Sequence, residues 1–344
     1  MSSSTQVYMQ PADTEMVDIP GTPLKVSRVA LGTWAMGGWM WGGTDQRESV
    51  ATIHAALDQG INLIDTAPVY GFGMSEEIVG AALQGIRSRV VIATKTGLEW
   101  RDGTVYRNAT RARIVQEVDD SLRRLRTDYI DIYQVHWPDP LVPIEETAEV
   151  MRALYERGKI RAIGVSNFSV GQMARFRRVA PLHVLQSPYN LFERAIETDV
   201  LPYCRTNDIA TLGYGALCRG LLSGRIQPDT KFEGDDLRRV DPKFRAPRLA
   251  QYLKAVRQLD EFAQHCFQRR VIHLAVRWML DQRVSVALWG GRHPTQVEAA
   301  LGVAGWSLNE PQRQLIEQIV NSAVVDPIGP EFMAPPQRSL GANT

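Results

Sequence analysis

The chain is poor in cysteine, has no long apolar run and carries almost no net charge. Its three cysteines, Cys204, Cys218 and Cys266, form no C-x-x-C pair and have no histidine at zinc-finger spacing. A disulfide framework or structural zinc site is therefore not expected, and no metal site is read; small buried thiols are the expectation. Lys+Arg 39 against Asp+Glu 38 gives a formal charge of +1. That balance leaves no electrostatic footprint for a nucleic acid or an anionic membrane surface. No apolar stretch reaches the ~18 residues of a membrane-spanning helix. The first residues lack the basic-then-apolar order of a secretory leader, so the cytoplasm is the expected location. A G-x-G-x-x-G after the first strand is also missing, which argues against an open dinucleotide-binding sheet.

What is present is an ordinary globular composition, 44% hydrophobic and 22% charged over 344 residues. A short β-branched run, a polar loop and an amphipathic helix recur along it. Strands are predicted near Val26 (VSRVALGT), Ile61, Val90, Tyr129, Ile160, His183, Ile209 and Val284. Val50, Ile53 and Leu57 share one helix face that ends at Gly60. Ile114, Val118, Leu122 and Leu125 form a second stripe behind a Thr110 cap, and a third helix ends at Gly158. Eight strands separated by helices imply parallel pairing, and count and length fit a (β/α)8 TIM barrel. The surplus falls into an N-terminal hairpin around GTP, a Trp/Gly-rich loop from Trp34 to Thr44, a long loop after strand seven (about Arg219 to Arg248) and a tail after Val325. No linker interrupts the repeat, so residues 1–344 are expected to form a single domain.

Barrel enzymes carry their chemistry at the C-terminal strand ends. Here the second strand ends in Asp65, the third in Lys95 and the fourth in His136, with Tyr70 following in the Gly-flanked loop DTAPVYGFG. Singly, these read as a cap, a rim charge, a core histidine and a loop aromatic. Together they are the equipment of proton transfer. A phenol titrates near ~10, an adjacent ammonium pulls that value down, and an imidazole can donate to a carbonyl oxygen. The other strand ends suit a dinucleotide. Ser166, Asn167 and Gln186 offer groups for a carboxamide, and Tyr214 offers a flat face. GALCRGLLSG and GGRHPTQ follow strands seven and eight, where barrels bind phosphate.

The segments GTWAMGG, INLIDTAPVYGFGMSEEIVGAAL, ATKTG, DIYQVHWPD, GKIRAIGVSNFS, LQSPYNLFER, YGALCRGLLSG and ALWGGRHPTQVEAAL resemble the aldo/keto reductases over nearly the whole chain. The narrower likeness is to bacterial members that use NADPH as glycerol dehydrogenases or glyceraldehyde reductases. The resemblance implies a catalytic tetrad of Asp65, Tyr70, Lys95 and His136, with Tyr70 the general acid in reduction of a small aldehyde or ketone. It implies nicotinamide contacts at Ser166, Asn167, Gln186 and Tyr214, with Trp34 lining the pocket. Leu217, Arg219 and Gly290 fall among the further NADP(H) contacts, and Arg292 and Gln296 hold the adenosine 2′-phosphate end. Two positions depart from many relatives: Ala300 stands where an Asn contacts adenine, and Gly215 where a Ser clamps the pyrophosphate. Trp39, Trp41, Trp137 and Phe332 suggest an aromatic mouth. Two other functions fit parts of the pattern: a barrel aldolase using a Lys95 Schiff base, and a redox-sensing nicotinamide-binding module related to channel β subunits.

Overall fold

The computed structural model describes residues 14–338. The chain enters through an antiparallel hairpin, β1 (Met16–Asp18) and β2 (Lys25–Ser27), whose tight turn contains the GTP expected there. β3 (Val29–Gly32), α1 (Gln46–Asp58), β4 (Leu63–Asp65), α2 (Met74–Ala82) and β5 (Val91–Thr96) follow. A second hairpin, β6 (Leu98–Arg101) and β7 (Thr104–Arg107), precedes α3 (Arg111–Leu125), β8 (Ile130–Val135) and α4 (Ile144–Glu156). Then come β9 (Ile160–Ser166), α5 (Val170–Arg177), β10 (Val184–Pro188), α6 (Val200–Thr206) and β11 (Ala210–Tyr214). Two helices, α7 (Arg248–Phe267) and α8 (Val271–Asp281), separate β11 from β12 (Val286–Gly290), which is followed by α9 (Pro294–Glu298) and α10 (Glu310–Ala323).

β3, β4, β5, β8, β9, β10, β11 and β12 pair in parallel and close into one barrel, β12 meeting β3. The (β/α)8 TIM barrel, with its N-terminal hairpin, long loop after β11 and C-terminal tail, is the observed architecture. The hairpin forms its floor. Ile19, Leu24 and Val26 pack against inward-facing Ala30, Leu63, Ile132, Val184 and Val286. With this end plugged by apolar side chains, the polar strand ends gather at the other. No helix among the described residues is long and apolar enough to cross a membrane.

The helices form where the sequence stops them. Thr110 caps α3, its hydroxyl accepting from the Arg113 N–H, and Ile114 and Val118 are buried below it. Gly158, at φ +71°, turns the chain from α4 into β9. Two expectations need correction. VSRVALGT is not one strand but two, because the chain turns at Arg28. The Arg28 guanidinium donates to the Leu280 and Val284 carbonyls and pairs with Glu15, which pins the passage from floor to wall. The β6–β7 hairpin was not foreseen, although Asp102-Gly103, both at positive φ, is a strong two-residue turn signal.

On β5, the pleat sends Lys95 into the barrel and its neighbours outward. Thr94 donates to Glu76 (2.6 Å) and Thr96 to Glu117 (2.9 Å), and each carboxylate is backed by an arginine, Arg124 and Arg113. Burial pushes the Glu117 carboxyl up to about 7, against the opposing pull of Arg113 and the Thr96 and Gly97 donors. A carboxyl raised on folding leaves the native state holding more protons than the unfolded chain, so its contribution to stability is lost as pH rises. The window runs from the unfolded value of ~4.3 to the folded value and corresponds to on the order of 3 kcal/mol. Glu117→Gln should therefore gain on the parent in urea midpoint between about pH 5 and about pH 7.5. Midpoints that stay parallel across that range would refute the assignment.

Candidate active site

Asp65 closes β4, Lys95 lies one residue from the end of β5, and His136 follows β8, so three neighbouring strands deliver them to one end of the barrel. The Lys95 ammonium donates to Asp65 Oδ1 (2.9 Å), Asp65 Oδ2 (2.7 Å) and the Thr66 carbonyl (3.0 Å). All three of its N–H bonds are thereby used. Asp65 Oδ1 also accepts from Gln186 at 2.7 Å, with Gln134 Nε2 at 3.5 Å. Gln134 was not foreseen. It stands two residues before His136 on a period-2 strand, which puts both on one face and was a readable signal.

Tyr70 is brought in by a backbone contact. A Cβ at Gly71 would lie 2.0 Å from the Gly37 carbonyl oxygen, and one at Gly37 would lie 2.5 Å from the Tyr70 carbonyl carbon. Only two glycines let these loops touch, and Gly71 is also at φ +65°. The contact stacks the half-buried Tyr70 ring on Trp34, with centroids 5.8 Å apart, and sets it edge-on to His136 at 5.9 Å. Lys95 Nζ is 5.1 Å from the Tyr70 ring centroid.

The electrostatics overturn one expectation. Lys95 does not pull the Tyr70 phenol down. Burial holds it well above the ordinary range, with Asp65 and Tyr214 adding to the rise. Asp65 lies 2.7 Å from Lys95, so the ammonium stands beside a carboxylate that acts on Tyr70 in the opposite sense. Burial lowers Lys95 while Asp65 opposes the shift. His136 is held well below the usual imidazole range by burial and by the Lys95 charge, which makes it neutral at pH 7.

The expected cofactor residues lie at the ends of β9–β12 and in the segments that follow those strands. Asn167 adopts φ +62° and donates to the His136 carbonyl and to Ser166 Oγ, both at 3.0 Å. The Tyr214 hydroxyl donates to Asn167 Oδ1 (2.9 Å). Gln186, expected at a carboxamide, is engaged with Asp65. Gly215 is at φ +70°, a backbone that disfavours any side chain. The N–H groups of Ala216 and Leu217 have no acceptor among the described residues, which suits an anionic ligand. The Arg219 guanidinium is buried between Glu193 and Asp241. Gly290 is exposed, and Gln296 Oε1 accepts from the Arg292 N–H at 3.0 Å. Arg292 Nη1 donates to the Trp41 carbonyl (2.8 Å). Ala300 packs into the core and offers no polar group.

At the mouth, Ala67, Val69 and Leu98 cluster with Trp39, Tyr70, Val105 and Trp137. The unforeseen hairpin thus supplies one wall. Arg107 holds the tail there, bonding the Pro335 and Pro336 carbonyls, and Arg338 pairs with Asp139 at 2.6 Å. The indole N–H groups of Trp34 and Trp41 are buried without a partner among the described residues.

The aldo/keto reductase family model matches residues 28–321. Aldo-keto reductase YhdN of Bacillus subtilis (strain 168) is 61% identical over 327 residues, 94% of this chain and 99% of that protein. The NADH-specific methylglyoxal reductase of Escherichia coli (strain K12) is 36% identical over 320 residues, 88% of this chain and 97% of its own length. Among solved structures, the glycerol dehydrogenase AKR11B4 from Gluconobacter oxydans is 53% identical with a TM-score of 0.85, covering 93% of this chain and 99% of that one. A Klebsiella pneumoniae aldo-keto reductase in complex with NADPH is 26% identical with a TM-score of 0.70, covering 95% and 99%. Fold, strand-end chemistry and these matches agree: the chain belongs to the aldo/keto reductase family.

Proposed function

We propose that the chain reduces small aldehydes or ketones with NADPH, reversibly oxidising the matching alcohols, and that Tyr70 is the proton donor. The observation that carries this reading is the meeting of Tyr70, the Lys95–Asp65 pair and His136 at one strand-end mouth. The bound nicotinamide would supply the hydride. The chain's own residues would handle the proton and the carbonyl oxygen. Burial keeps Tyr70 a phenol at neutral pH, the form able to donate to a developing alkoxide. Neutral His136 would donate an N–H to the same oxygen and fix its pose. Lys95 and Asp65 would hold their positions beside it as a locked pair. The apolar wall of Val69, Leu98, Val105 and the tryptophans excludes water and favours a small carbonyl.

Ser166, Asn167, Gln186 and Tyr214 would hold the nicotinamide end beside Trp34. Leu217, the Arg219 backbone and Gly290 would border the diphosphate, and Arg292 and Gln296 the adenosine end. The N–H groups of Ala216 and Leu217, without an acceptor among the described residues, support the fit. A Schiff-base role for Lys95 finds no support, because all three of its N–H bonds are committed and its nitrogen is buried. A redox-sensing module would differ from a reductase in its lack of multiple turnover.

Tyr70→Phe should lower kcat by ~10²–10⁴-fold, the usual worth of general acid catalysis, while leaving NADPH affinity intact. A variant keeping more than half of the parent kcat would remove Tyr70 from this role.

Arg292 decides the cofactor proposal, because NADPH differs from NADH by a 2′-phosphate that a guanidinium can bind through charge-assisted bonds. Its Nη1 is engaged with Trp41, and the rest of the fork has donors to spare. Arg292→Ala should weaken NADPH roughly 10- to 100-fold and NADH almost not at all. The likeness to an NADH-specific enzyme makes the paired titration decisive. Equal losses for the two cofactors, or a parent indifferent between them, would end the NADP assignment and leave the tetrad standing.

A further inference from the structure

Cys218, Arg219 and Gly220 are three consecutive left-handed residues, with φ of +45°, +54° and +95°. Only the last is glycine. A non-glycine backbone persists in this region only where its surroundings over-determine it. Here a closed set of buried charges does so. The Arg219 guanidinium pairs through Nη2 with Glu193 and through Nε with Asp241. Lys243 Nζ lies 2.9 Å from the same Glu193 oxygen and donates to the Gly329 carbonyl at 3.1 Å. All four side chains are buried, two of each sign.

The second Glu193 oxygen accepts from Asn190 Nδ2 (2.8 Å), and the same amide nitrogen donates to the Gly215 carbonyl (3.0 Å). Gly215 opens the loop and Arg219 stands at its turn. The cluster therefore grips the loop at both points, from the segment after β10 on one side and from the long loop before α7 on the other. Between them lie Ala216 and Leu217, whose N–H groups have no acceptor among the described residues. Although burial pushes it up, the Arg219 and Lys243 charges hold Glu193 below the usual carboxylate range, so it is charged when it grips.

We infer that Glu193 and Asp241 are positioning residues for cofactor binding: through Arg219 they hold residues 215–220 in the turn that takes a diphosphate. This rests on the nicotinamide reading above. It assigns Arg219 a role through its neighbours rather than through its own charge on the ligand. The guanidinium's rigid planar fork holds two carboxylates in a fixed relation to its backbone, a geometry that a freely rotating ammonium does not impose.

Asp241→Asn keeps the size of the side chain and removes one side of the grip. Binding is read by quenching of tryptophan fluorescence in the full-length variant, after circular dichroism has confirmed its folding. Losing a charge-assisted hold on the loop should raise the Kd for NADPH and for ADP-ribose about tenfold. Adenosine 2′-monophosphate, which lacks the diphosphate, should bind within about twofold of the parent, and kcat at saturating NADPH should also stay within about twofold. Arg219→Lys should show the same split between ADP-ribose and adenosine 2′-monophosphate, and serves if the first variant does not fold. Folded variants that bind NADPH like the parent, or lose all three ligands alike, would overturn the inference. So would collapse of both variants, which would leave the cluster a stabilising device only. A parent that binds neither NADPH nor NADH would overturn the functional reading together with this one.

Discussion

The Lys95–Asp65 pair is the constraint on which the site is built. Two opposite charges lie inside a barrel whose far end is sealed by Ile19, Leu24 and Val26. Removing one partner from such a pair strands the other and typically costs ~3–5 kcal/mol. The barrel therefore satisfies both: Thr66 supplies a carbonyl to the ammonium, and Gln186 donates an amide to the carboxylate. The consequence for chemistry is that both charges act from fixed positions. Tyr70 remains a phenol and His136 a neutral imidazole beside a pair that is fixed in place.

What surrounds the pair follows the pleat of β5. Because Lys95 points inward, Thr94 and Thr96 must point out, where Glu76 and Glu117 receive their hydroxyls under arginine cover. The same strand thus carries a polar seam on its outer face, where an apolar layer would be the norm between strand and helix. Tyr70 has no such strand to hold it. Its position comes from Gly37 and Gly71, whose missing side chains let one loop lie on another and bring Trp34 over the ring. Strand geometry places three of the four groups, and a glycine contact places the fourth.

Arg219 and Arg292 illustrate how far residue type alone can mislead. Both are arginines in Gly-rich segments after the last two barrel strands, and both invite a phosphate reading. Arg219 is consumed by Glu193 and Asp241, neither of which lies near it in sequence. Arg292 instead keeps its guanidinium half-exposed and donates to the Trp41 and Gly43 carbonyls. Local sequence cannot separate these cases, because the partners arrive from elsewhere in the chain.

The sequence by itself determined the periodic part of the molecule: eight β-branched runs, the Thr110 cap, the Gly60 and Gly158 stops, the hairpin at the floor and the (β/α)8 order. It also placed Asp65, Lys95 and His136 at strand ends, since strand ends in a parallel barrel share one face by topology. These features depend on neighbours a few residues apart. The tertiary structure alone decided what the groups experience. The upward shift of Tyr70 comes first from its burial and then from Asp65 on an adjacent strand, and the bonding of Gln186 to Asp65 spans 121 positions. The fate of Arg219 likewise depends on a distant loop, and the wall made by β6 and β7 on the tail that Arg107 fastens. Burial and pairing are properties of what surrounds a side chain, and only closure of the barrel brings those surroundings together.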